Sequence, residues 1–296
     1  MLRRPLRGGL VANVVCVLGM PHNPFHHRAT RGPREQWSDD LRNMQDRFDA
    51  QRERLARAKP DVIVSIGNDH FHQFFMDNMP AFVIGKMDRY DGTFYNEVRE
   101  FDLPRVTIPG DAALSRRVLE GLLCRGVDLA FSDELKVDHS IVVPLLFSRP
   151  QLDLPIVPLM SNCIAPPLPS AARFHAVGLA LRSALDELDD PRRFAVIGSG
   201  NLSLEVGGPL QFAPRPMDAE FDERAVAWIA NANADAAARE CTYERLVNAG
   251  NVSHGYLNYL LLLGVASDER PTHAEGLRRN GSTQAYFAWE SPATAR

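Results

Sequence analysis

The 296-residue chain reads as an α/β protein, with a central, mostly parallel or mixed sheet flanked by helices. Three observations predict this. Short apolar runs such as VVCVLG and VIVSIG alternate with longer segments whose apolar residues recur at helical spacing. Gly, Pro, Asp and Asn punctuate the boundaries between them. No repeat, low-complexity tract or long linker interrupts the alternation. One domain over 1–296 is therefore expected, with 1–10 as a disordered N-terminal extension.

The elements follow in order. A first strand is expected over 11–18. Arginines at 3, 4 and 7 precede it, as in a leader peptide, but no small-residue cleavage site follows. Over 36–58, Trp37, Leu41, Met44, Phe48 and Leu55 mark one face of a long exposed helix that Pro60 stops. A strand over 61–66 comes next. Asp111 can cap a helix carrying Leu114, Val118 and Leu122, ended by Gly126. A strand over 156–160 runs into the turn APPLPS. A helix with Phe174, Val177, Leu181, Leu185 and Leu188 follows, then a strand over 194–198. Helices near 221–238 and 253–263 complete the body.

Composition narrows the function classes. The chain is 45% apolar and 24% charged, ordinary for a globular protein. A net charge of −4 argues weakly against a nucleic-acid footprint, which would need a basic face. No apolar stretch is long enough to span a bilayer. Four cysteines (Cys16, Cys124, Cys163 and Cys241) are scattered without a CxxC. That is neither a zinc ribbon nor a disulfide framework, so reduced thiols in the cytoplasm are expected.

Three polar clusters sit where strands end or helices begin. They are GMPHNPFHH with His22, His26 and His27; GNDHFHQFF with Asp69, His70 and His72; and KVDHSIVV with Asp138 and His139. Sites in α/β sheets are built at strand ends. Imidazole suits iron, zinc or copper, and two His plus a carboxylate leave open positions on non-haem Fe(II). Against this, a lone His after a strand is more often a hydrogen-bonded loop residue than a ligand. His26 and His27 are expected to face solvent, His175 to lie on the surface and His273 in a polar loop. Metal site, acid–base site and plain loop all remain open from the residues alone.

Four stretches in order change the reading: GMPHNPF, NDHFHQFFMDNMPAFVIG, VDHSIVVPL and GSGNLSLEVGGP. Together they resemble the class III extradiol ring-cleavage dioxygenases, the family of the protocatechuate 4,5-dioxygenase β subunit, over roughly 14–289. The resemblance implies a ferrous ion held by two His and one Glu, with His22 and His70 matching the two His. It implies a catechol-like aromatic and O2 as substrates. It also implies a substrate-side role for His139, which can donate to a developing oxyanion. Assembly as a homo-oligomer or with a separate small α subunit is implied too.

Two positions depart from the family pattern. Leu204 stands where a motif like GTGGxSHxxxGP has its acid–base His, and Gly255, beside His254, where the iron-binding Glu is expected. Neither can do that chemistry. The expectation is therefore a divergent active site with Fe(II) as its cofactor, held weakly or lost. Three hypotheses follow. A metalloenzyme could complete its ligands with His254, with a water, or with Glu205 or Glu220. A non-catalytic relative could keep the pocket in a binding or subunit role. A metal-free enzyme could use Asp69, His70 and His139 as acid–base groups. The catalytic candidates are His139, Asp138 and Asp69.

Overall fold

A computed structural model describes residues 13–211 and 213–291. The expected N-terminal extension, and the first two residues of the expected first strand, lie outside the described residues. In chain order the elements are β1 (Asn13–Met20), α1 (Phe25–Ala29), α2 (Asp39–Ala58), β2 (Val62–Asn68), β3 (Phe82–Gly85), β4 (Arg89–Gly92), α3 (Tyr95–Phe101), β5 (Val106–Pro109), α4 (Ala112–Leu123), β6 (Ala130–Ser132) and α5 (His139–Ser148). Then come β7 (Ile156–Ser161), α6 (Ala171–Asp186), β8 (Arg193–Ser199), α7 (Ala219–Ala230), α8 (Ala234–Glu240), α9 (Tyr243–Ala249), α10 (Leu257–Val265), β9 (His273–Arg279) and β10 (Ser282–Glu290).

The α/β expectation holds. Eight strands form a mixed sheet in the order β6-β3-β7-β2-β8-β1-β10-β9. Its centre, β7-β2-β8-β1, is parallel. β3 runs antiparallel to β7, and β10 antiparallel to both β1 and β9. The strand order reverses around β8, between β2 and β1. The ends of those strands are where an open α/β sheet makes room for a ligand.

The central strands are mainly apolar because both faces are covered. Val62, Val64 and Ile66 of β2 pack into one core with α4, α6, α7 and α10. Ile63 faces the other core, with Phe48 of α2 and Ile141–Val143 of α5. Period-two alternation thus divides one strand between two helical layers.

Several boundaries move for local reasons. Ser38 accepts from the Leu41 backbone N–H, so α2 starts at Asp39 rather than 36. Asp111 caps α4 as expected, accepting from Leu114 N at 2.8 Å. The helix expected over 221–238 is two helices, broken at Ala232, whose φ is +54°. The segment expected as a helix over 253–263 opens as a 3₁₀ turn, Ser253–Tyr256, before α10. No described helix is long and apolar enough to cross a membrane.

Helices α6 and α10 cross at backbone contact. A Cβ on Gly178 would lie 2.0 Å from the Leu261 carbonyl oxygen and 3.0 Å from the Gly264 Cα. Only a residue without a side chain fits there. Gly178→Ala is expected to cost about 1–3 kcal/mol by overpacking. In urea unfolding the midpoint should fall with little change in slope. An unchanged midpoint would show that the two helices separate without strain.

Candidate metal centre

The site forms where β1, β2 and β8 end and α5 begins. Gly67 lets α5 approach, since a Cβ there would sit 2.4 Å from Ser140 Oγ. That hydroxyl accepts from the Asn68 N–H at 3.0 Å and lies 2.7 Å from the Asn68 carbonyl oxygen. The turn after β2 is thereby fastened to the first turn of α5.

Asp138 is the N-cap of α5. Its Oδ1 accepts from the Ser140 N–H at 2.8 Å. Its Oδ2 takes two donors from one residue, the His70 backbone N–H at 3.0 Å and His70 Nδ1 at 2.8 Å. The carboxyl is fully buried. Burial alone would raise its pKa, but the charge and hydrogen bond of His70, with His139 and Ser140, hold it far below the usual carboxylate range.

Glu97, on α3, repeats the arrangement. Its Oε1 accepts from the His139 backbone N–H at 2.8 Å and lies 2.6 Å from His139 Nδ1. Its Oε2 accepts from the Phe94 N–H at 2.8 Å. Burial would raise its pKa, but the His139 and His72 hydrogen bonds outweigh that and bring it to about 2.

His22, His70 and His139 converge, with one donor atom from each within 4.8 Å of the others. Ring centroids are 4.0 Å apart for His70–His139, 5.3 Å for His22–His70 and 5.5 Å for His22–His139. Burial first, then repulsion between neighbouring imidazoles, pushes the pKa of His22 well down and lowers that of His139. Both rings are neutral at pH 7, with lone pairs available. His22 Nδ1 is buried without a hydrogen-bond partner, and its Nε2 meets only Asn201 Nδ2 at 3.4 Å. A second set, His72, Glu97, Asp138 and His139, adjoins the first within the same limit. These donors suit a divalent transition-metal ion.

The expected divergent active site is thereby corrected. The donors sought at 204 and 255 are supplied instead by the turns after β1 and β2, by α3 and by the start of α5, and these converge into intact His and carboxylate clusters. Leu204 donates its backbone N–H to Ser253 Oγ at 3.1 Å. Gly255 packs on Asn201, the neighbour of His22. His254, expected as third ligand, belongs to neither set among the described residues. Its ring stacks on Tyr243, and both its nitrogens are buried without partners. Glu205 turns back into its own loop and accepts from the Leu210 N–H at 2.7 Å.

Other expected residues take plainer places. Asp69 accepts from the backbone N–H groups of His72, Gln73 and Phe74 at 3.0, 3.2 and 3.1 Å, which shapes the turn. Phe71, with φ +57°, turns the chain between His70 and His72. His72 instead stacks on Phe94 at 4.3 Å. His26 was expected in solvent and is buried against Phe48 and Phe147, where burial lowers its pKa to about 4. His27 is half-buried, with Nδ1 3.1 Å from the Asp102 carbonyl oxygen. Glu97 is the site residue that sequence reasoning missed. It lies 42 residues from His139, and YNEVREF carries no pattern that points to it.

Comparison with known proteins agrees with this geometry. A family model described as the catalytic LigB subunit of aromatic ring-opening dioxygenase matches residues 16–291. The chain is 32% identical over 237 residues to a 2,3-dihydroxyphenylpropionate/2,3-dihydroxicinnamic acid 1,2-dioxygenase of a Rhodococcus species, covering 80% of this chain and 69% of that one. It is 33% identical over 159 residues to the protein of the same name from Klebsiella pneumoniae, covering 53% of this chain. Here it spans about half of the relative's length, 48%. The crystal structure of an uncharacterised Escherichia coli K12 protein superposes with a TM-score of 0.61 at 18% identity, over 93% of this chain and 99% of that one, and shows the same fold.

The loop after β8 that carries Asn201 is anchored by Asp222, which accepts from Ser203 N at 2.7 Å and Ser203 Oγ at 2.8 Å. Burial raises the Asp222 pKa from 3.8 to about 6. The folded state then binds more protons than the unfolded state between those values. The stabilising contribution is complete at low pH and is lost as pH rises through about 6. Relative to Asp222→Asn, the wild-type chain should lose up to about 3 kcal/mol between pH 4 and pH 7. Urea titrations at several pH values measure this, and a constant difference between the two proteins would refute it.

Proposed function

Since the chain belongs to the family of catalytic LigB subunits of aromatic ring-opening dioxygenases, we propose that it opens a catechol-like ring with O2, outside the diol, using Fe(II). The observation that carries this reading is the convergence of three imidazoles, His22 and His139 buried and His70 partly buried. In this reading those three hold the metal. The ferrous ion supplies electron exchange between the ring diol and O2.

The chain's own residues do the rest. Asp138 accepts a hydrogen bond from His70 Nδ1, fixing the ring so that Nε2, 3.2 Å from Asn68 Nδ2, is the nitrogen left to ligate. Asp69 holds the turn that presents His70. Phe101 packs edge-on to His139 at 5.8 Å and helps keep water from it. Depressed pKa values keep His22 and His139 unprotonated, so no proton has to leave either ring at neutral pH before it binds.

The proposal extends to assembly and setting. One family model across 16–291 supports a single catalytic-type domain, and its description as a catalytic subunit supports a small-subunit partner or a second copy. The free cysteines suit a reducing compartment such as the cytoplasm. The relatives' names favour a catechol carrying a side arm as substrate.

Anaerobically purified protein is expected to bind about one Fe(II) per chain and then consume O2 when given a catechol. His70→Ala should weaken iron binding on the order of 100-fold or more, the upper end of what losing even a supporting residue costs. Absence of both iron binding and O2 uptake across a catechol panel would end this reading.

A further inference from the structure

We propose that Glu97 is a positioning residue that locks His139 in the tautomer protonated on Nδ1, leaving Nε2 as the nitrogen offered to His22 and His70. The inference rests on the reading of those three imidazoles as a metal centre.

The argument starts from a repeated geometry. Asp138 Oδ2 takes the backbone N–H and Nδ1 of His70, and Glu97 Oε1 takes the backbone N–H and Nδ1 of His139. One carboxylate oxygen thus holds each histidine at two points, which fixes both backbone and ring. The supports come from different places, Asp138 from the α5 cap and Glu97 from α3. Both Glu97 oxygens already accept from backbone N–H groups, Oε1 from His139 and Oε2 from Phe94, so the carboxylate faces the ring as an acceptor and the proton at 2.6 Å is assigned to His139 Nδ1. Backbone donation at 2.8 Å keeps the imidazole from swinging away with its main chain.

The rival role is ligand to a second ion, with His72 and Asp138. Glu97 is poorly placed for it. Its Oε1 faces three donors, counting His72 Nε2 at 3.5 Å, and its Oε2 accepts from the Phe94 N–H. Asp138 is similarly engaged at both oxygens. A second cation would have to displace this set, which already satisfies both carboxylates.

The test begins on metal-free protein, by 15N NMR of the histidine rings. Wild-type His139 is expected to show the Nδ1-protonated signature, and Glu97→Ala a mixture of tautomers. Glu97→Gln should retain the signature, because its amide oxygen still accepts. Thr93→Val removes a bond from Thr93 Oγ1 to the Pro104 carbonyl oxygen near α3 without touching His139, so it should leave the signature unchanged. Co(II) titration should then give one ion per chain, with affinity about 10–100-fold weaker in Glu97→Ala and unchanged in Thr93→Val. Wild-type His139 protonated on Nε2, or Nδ1 protonation surviving in Glu97→Ala, would overturn the proposal. So would two ions per chain with one lost in Glu97→Ala. If wild-type protein bound no Co(II), the metal centre itself would fall, while the tautomer result would still decide the role of Glu97.

Discussion

The Asp138 carboxylate is the contact on which the site depends. It caps α5, accepts from Ser140 and holds His70 at its backbone and ring. The Ser140 hydroxyl in turn meets both the N–H and the carbonyl of Asn68, and the Ser140 carbonyl accepts from Ser199 Oγ of β8 at 2.6 Å. Asn258 of α10 donates to the Ser199 carbonyl at 2.8 Å. Two strands and two helices on opposite faces of the sheet are therefore linked by buried hydrogen bonds. Such bonds cost heavily when one partner is lost, so the network holds the site as a unit.

Charge explains why this arrangement is consistent with a cation. Asp138 and Glu97 are buried and ionised, while His22 and His139 are held neutral. Buried negative charge is costly unless it is paired or hydrogen-bonded. Here each carboxylate has its donors, and a divalent ion held by the imidazoles would add the opposing charge. Carboxylates placed behind the histidines also make those rings better ligands.

The sheet centre was legible because β2, β7 and β8 are apolar runs that end in turn residues. The helix α5 was not, because HSIVVPLLFS is buried nearly all round and shows no helical stripe. β10 hid for a different reason: STQAYFAWE opens on three polar residues that are buried all the same, with Thr283 and Gln284 among them. In the site, His22, His70 and His139 stood out because turn-forming residues flank them at element ends. Glu97 did not, since it meets His139 only through the fold.

His22 and His26 show how far residue type reaches by itself. They lie four positions apart in one cluster, and both rings are buried. His26 has Gln45 Oε1 at 3.0 Å from its Nε2 and is otherwise walled in by aromatic rings, so although its Nδ1 is also unpartnered no second metal-ligating side chain faces it among the described residues. His22 faces two other imidazoles, and that convergence rather than its unpartnered Nδ1 marks it as a metal-ligand candidate. The same distinction governs Leu204 and Gly255. A motif position records which residue type stands at one place. Whether a centre can hold a metal depends on which donor atoms converge, and the histidines and acids from four separate segments do so here without either position.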